Sequence, residues 1–145
     1  MDLLLVGEAP GRDGATLDDP RSRSGKRLTE LGAGGLPFVN ILDEWPGPAS
    51  KGAGFEWNSP EVQRAVGRKL DGLPRRPALV FLGLRAARAF DWRGAYFEWG
   101  QCRGRRVVTV PHPSGVNRWW NEPANVRRAR RFFGTITGTR PETGT

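Results

Sequence analysis

Leu3-Leu4-Leu5-Val6-Gly7-Glu8-Ala9-Pro10-Gly11 is the stretch on which the reading of this chain turns. Residues 2–6 are short, continuous and apolar, as a parallel strand covered on both faces must be. The loop that follows has two glycines and a proline, which let backbone approach a ligand closely. In an open α/β sheet, ligands sit at the carboxyl ends of the strands. Glu8 is the one ionisable side chain in the loop, so it stands at the mouth of such a site.

A second stretch has the same form. The run Val107-Val108-Thr109-Val110 leads into Pro111-His112-Pro113-Ser114-Gly115-Val116-Asn117-Arg118, again an apolar strand opening into a polar loop punctuated by Pro and Gly. The two loops are expected to face each other across one pocket. Between them, Pro37 to Leu42 reads as another strand, with Asn40 as a polar residue in an apolar run. Ala78 to Gly83 reads as a further buried strand.

Helices alternate with these strands. Ser24 stands as the cap of a short helix ending at Gly32. Ser59-Pro60-Glu61 is a helix start by its cap, its proline at the first position and its acid in the first turn, and that helix reaches about Leu70. A short helix spans Leu84 to Phe90. The last helix starts near Asn121-Glu122-Pro123 and runs to about Phe133, carrying Arg127, Arg128, Arg130 and Arg131. Tyr96 to Trp99 and Arg105 to Val110 read either as a hairpin around Gly104 or as an edge piece and the fourth core strand. The expected fold is α/β, a three-layer sandwich around a central, mostly parallel four-stranded sheet. One domain over 1–134 suits a chain of 145 residues, with 135–145 as a tail. The Gly/Pro-rich connection over 43–58 is long, and long loops in compact domains are usually functional or disordered.

The formal net charge is +8, carried mostly by arginine. A small basic domain suits nucleic-acid phosphates, although an arginine-rich proteome would give the same balance. The single cysteine, Cys102, excludes an internal disulfide, and one cysteine with one histidine leaves too few ligands for a zinc or iron–sulfur site. No metal or cofactor is expected. No signal peptide or membrane-length apolar run is read, so the expectation is a monomeric protein of the cytoplasm that does not engage membranes. Gly25-Lys26 is not a P-loop, because the earlier glycine is missing and Arg27 stands where Ser or Thr is required.

The chemistry-bearing residues allow functional and structural readings. Glu8 is a candidate general base, or a carboxylate that stabilises positive charge. His112, held between two prolines, is a candidate hydrogen-bond donor to a developing anion. The Asn40 amide offers a donor and an acceptor to one base edge. Val116, Asn117, Arg118, Trp119 and Trp120 combine an apolar tip, a cation and aromatics, as enzymes that extrude a base from a duplex require. Of the two tryptophans, one is expected in the core and one to stack on bases.

This layout resembles the uracil-DNA glycosylase superfamily. Gly7-Glu8-Ala9-Pro10-Gly11 is similar to the first motif of its iron–sulfur branch. Phe38-Val39-Asn40-Ile41 resembles the strand that bears the superfamily's base-reading asparagine. Ala78 to Ala87 resembles its strand, Gly, small-residue helix segment. His112-Pro113-Ser114 is similar to its third motif, and Gly115-Val116-Asn117-Arg118 to the loop of the mismatch-specific branch. The resemblance implies that Glu8 positions or activates the water attacking the sugar C1′. It implies that His112 stabilises charge on the leaving base and that Gly7, Ala9 and Asn40 hold that base. Gly11, Arg12, Ser114, Gly115, Val116, Asn117 and Arg118 would contact DNA, with Val116 or Arg118 filling the gap in the duplex. The implied activity is hydrolysis of a base, uracil or a related one, from DNA without a cofactor.

Three departures go with it. The branch's cluster cysteines are absent, the chain is short, and the stretch Asp19 to Gly25 lacks the aromatic that stacks on uracil. Trp45, Trp57 or Arg21 would have to replace that aromatic, or another base is the substrate. Two alternatives stand beside the enzyme: a member of this fold that binds DNA or nucleotides without hydrolysis, and one that acts on a modified free nucleotide.

Overall fold

The computed structural model describes residues 2–8, 23–42, 60–113 and 117–138. Its centre is a five-stranded sheet in the order β2-β1-β3-β5-β4. The strands are β1 (Leu3–Gly7), β2 (Phe38–Asn40), β3 (Ala78–Leu82), β4 (Gly100–Cys102) and β5 (Arg105–Val110). The first three and β5 run parallel, while β4 pairs antiparallel with β5. The sheet is therefore mixed and five-stranded, which corrects the four strands expected from sequence.

The extra strand is Gly100-Gln101-Cys102, three residues long and partly exposed, so no apolar run marks it. Arg103 (φ 53°) and Gly104 (φ 76°) form the tight connection to β5. Two consecutive positive φ values are the mark of the hairpin turn whose twist matches the flanking strands. Arg105–Val110 is the fourth core strand, and the hairpin around Gly104 joins it to Gly100–Cys102 rather than to the expected Tyr96–Trp99. Tyr96 is joined to Thr109 by an isolated parallel bridge.

Alternation along the central strands divides the core. Leu3, Leu5, Val80, Leu82, Val108 and Val110 face one side, against Leu28 of α1 (Arg23–Glu30), Leu31 just after it, and Ala129 and Phe133 of α4 (Pro123–Thr137). Leu4, Val6, Leu79, Phe81 and Val107 face the other, against Val66 and Leu70 of α2 (Pro60–Asp71) and Ala86 and Ala87 of α3 (Leu84–Ala89). Every residue of β1 and β3 is buried, because helices cover both faces. Phe81 and Phe133 are wholly enclosed, and burying such a side chain contributes about 1.5–3 kcal/mol.

Element ends differ from expectation where local chemistry extends them. α1 begins at Arg23, so Ser24 lies inside the helix rather than capping it. β2 is shorter than Pro37 to Leu42, yet Ile41 N–H still donates to Gly7 O and Leu42 N–H to Glu8 O. α4 runs four residues beyond Phe133 to Thr137, so the first residues assigned to a tail are helical. Thr135 and Thr137 hydroxyls donate back to the carbonyls of Arg131 and Phe133, and Ile136 packs on the core. No described helix is long and apolar enough to cross a membrane.

Candidate functional site

Three neighbouring parallel strands end side by side. β1 delivers Glu8, β3 delivers Gly83 and then Arg85 in the first turn of α3, and β5 delivers His112. The backbone pairing that aligns them runs past the strand ends, with Gly83 N–H donating to Val110 O at 2.8 Å. Glu8 and His112 are 104 positions apart in the numbering and meet because β3 separates their strands by a single place in the sheet.

His112 Nε2 lies 3.8 Å from Glu8 Oε2, and Arg85 Nη1 lies 3.4 Å from Glu8 Oε1. The His112 and Glu8 side chains keep 29% and 24% of their surface exposed, so the pair is recessed but reachable. Burial pushes the Glu8 carboxyl above its ordinary value, and the Arg85 guanidinium pulls it back down. Burial, reinforced by the Arg85 charge, lowers His112 from 6.5 to about 4. At neutral pH the imidazole is therefore neutral. The 3.8 Å approach joins a carboxylate to a neutral ring and is too long for a hydrogen bond between them.

No family model matches the chain, and no curated protein matches it.

The loop after β5 is held by its own side chains. The His112 carbonyl accepts from Asn117 Nδ2 at 2.9 Å and from the Trp120 indole N–H at 2.7 Å. Asn117 Oδ1 accepts from Trp119 N–H at 3.1 Å and so caps the single 3₁₀ turn Arg118–Asn121. Asn117, expected on DNA, thus has its amide turned into the loop. Arg118 is exposed. Trp120 is in the core, beneath the Arg27 guanidinium at 4.9 Å. Trp119 is half-buried among Tyr96, Phe97 and Trp120.

Asn40 is the register partner of Gly7, one residue before Glu8. Its Oδ1 is buried and has no hydrogen-bond partner in the structure. A buried amide oxygen without a partner is costly unless a ligand or water supplies a donor. The structure therefore brings together Glu8, His112 and the backbone of Gly7, with Asn40 on the adjacent strand. Ala9, Gly11, Arg12, Ser114, Gly115 and Val116, like Arg21, Trp45 and Trp57, lie outside the described residues.

Sequence reasoning missed Arg85 and Gly83. Both follow a strand end in the same way as Glu8 and His112, and that position was the available signal. Gly83 has φ 98°, and a Cβ there would stand 3.2 Å from His112 Cβ and 3.4 Å from Cδ2. Glycine is therefore needed both for the backbone turn and for the ring of His112 to lie where it does. Among the described residues, no group of three or more His, Cys, Asp or Glu is placed to hold a metal ion.

Proposed function

We propose that this protein is a monofunctional DNA glycosylase, hydrolysing the N-glycosidic bond of uracil or a related base. The observation that carries the reading is the approach of Glu8 to His112 at the ends of β1 and β5, recessed and next to Arg85. The transition state of such a hydrolysis carries positive charge on the sugar and negative charge on the departing base. A fixed carboxylate beside one and a fixed N–H donor beside the other lower its energy.

In this scheme Glu8, whose ionised form Arg85 favours against its burial, faces the sugar and accepts a proton from the attacking water. His112 enters neutral and donates its ring N–H to a base oxygen. A neutral donor suits that task because it does not form an ion pair with Glu8 that substrate would have to break. The Asn40 amide, with its unpartnered oxygen, reads the extruded base by accepting from a ring or exocyclic N–H. The resemblance to the uracil-DNA glycosylase superfamily supports the same assignment of roles. The net charge of +8 and exposed Arg118 suit a DNA partner.

The test is base release from labelled single-stranded and duplex oligonucleotides carrying uracil, 5-hydroxymethyluracil, hypoxanthine or mismatched thymine, with alkali to cut abasic sites. Release of one base, with no borohydride-trapped protein–DNA adduct, is the expected result. DNA binding without release from any substrate would replace the enzyme with a binding protein.

A further inference from the structure

A cleft of about 360 Å³ opens at the opposite end of the strands, where β5 begins. Its walls come from the end of α2, the segment leading into β3, the end of α3 and the Arg103–Gly104 turn. Leu70, Leu73 and Phe90 form an apolar floor, and Arg75, Arg103 and Arg105 supply cations. Arg105 opens β5 while His112 follows its end, so roughly 20 Å of extended chain separates this cleft from the Glu8–His112 site.

The charges around it do not balance. Arg103 pairs with Asp71 at 3.0 Å and lies over the Phe90 ring at 4.6 Å. Asp91, the next carboxylate, acts on the Cys102 thiol and does not line the cleft. Arg105 donates from Nη2 to Pro77 O at 2.7 Å, but its buried Nε has no acceptor. Among the described residues no carboxylate pairs with Arg75 or Arg105. Arg75 stands close enough for its charge to oppose that of Arg105. Three cations thus face one carboxylate, and arginine does not relieve the strain by losing its proton.

We propose that this cleft binds a nucleotide through its phosphate, with Arg75 and Arg105 holding the anion. The excess of two positive charges matches the charge of about −1.5 to −2 on a phosphomonoester. The volume suits a small ligand. The guanidinium of Arg103, held over the Phe90 ring, offers a plane on which a base can stack. The nucleotide is either free or one unit of a nucleic-acid chain. This inference does not depend on the reaction at the other end of the strands.

Backbone-amide NMR on the full chain tests it, with inorganic phosphate, thymidine monophosphate and a short oligothymidylate as probes. The amides of Arg75, Gly104 and Arg105 shift with the mononucleotide at lower concentration than with inorganic phosphate. Tighter binding of the oligomer there assigns the site to nucleic acid, and equal binding assigns it to free nucleotide. Arg75→Glu, at an exposed position with no side-chain hydrogen bond to lose, weakens this binding about tenfold or more. Glu8→Ala leaves it unchanged. The proposal is overturned if those amides do not move, if Arg75→Glu binds as wild type does, or if inorganic phosphate binds as tightly as the nucleotide.

Discussion

The Gly83 backbone lies against the His112 ring so closely that a single added methyl group would stand 3.2–3.6 Å from three of the histidine's carbons. β3 therefore does more than separate β1 from β5, since the glycine that follows it sets where the imidazole rests. With φ 98° and ψ 159°, Gly83 also occupies a backbone region open essentially to glycine alone.

Gly83→Ala consequently meets two obstacles at once. We expect a loss of about 1–3 kcal/mol from backbone strain, together with a displaced His112 and a lower rate of base release. Thermal unfolding and the release assay check both, and unaltered stability would remove Gly83 from this role.

His112 is the chain's only histidine, so its ring signals need no assignment by mutation. NMR titration should give a midpoint near 4 rather than 6.5, with Arg85→Gln moving it upward by removing a repelling charge. A wild-type midpoint between 6 and 7 would show that the ring is solvated. Because the folded-state value is depressed, stability linked to His112 is fully present above pH 6.5 and falls as pH drops toward 4.

Glu8 acts in the opposite sense. Its carboxyl is raised above 4.5, chiefly by burial, so stability linked to it is present below that pH and is lost as pH rises through the folded-state value. Glu8→Gln should therefore raise the melting temperature at pH 7–8, with the gain vanishing toward pH 4. Equal melting temperatures at pH 8 would mean that the carboxylate is not penalised by its site.

The same pair fixes the pH dependence of activity. Base release requires ionised Glu8 and neutral His112, so both groups place the loss of kcat/KM on the acid side. Arg85→Gln should move that limb to higher pH, because Arg85 is the charge that opposes the burial of Glu8. An unmoved limb would separate Arg85 from Glu8.

Asn117 separates a positioning role from a DNA contact. Asn117→Ala removes the cap of the 3₁₀ turn and one of two donors to the His112 carbonyl, at about 0.5–2 kcal/mol for the lost cap. We expect kcat to fall with DNA affinity nearly unchanged. Weaker DNA binding at unchanged kcat would return Asn117 to the interface.

What sequence made legible follows from burial. β1, β3 and β5 are apolar runs because helices cover both faces, and no other role for Leu3–Val6 or Ala78–Leu82 competes with that. Glu8 and His112 stood out through the glycines and prolines around them. β4 was hidden because a three-residue edge strand with Gly, Gln and Cys carries no periodic signal. Arg85 was hidden in a chain where arginine is everywhere, and only the third dimension puts it beside Glu8. The bonds of Asn117 within its own loop were not legible, because a polar loop residue looks the same whether its amide faces a phosphate or the carbonyl of His112. The end of α4 was missed because threonine's low helix propensity is offset here by the packing of Ile136 on the core.

The central claim is that Glu8 and His112 act together on one glycosidic bond. The most direct measurement is the single-turnover rate of base release by wild type, Glu8→Gln and His112→Gln on the best oligonucleotide substrate. Each substitution should slow release by about 10²–10⁴-fold, while DNA binding persists. A rate that survives either substitution within a few-fold would contradict the account.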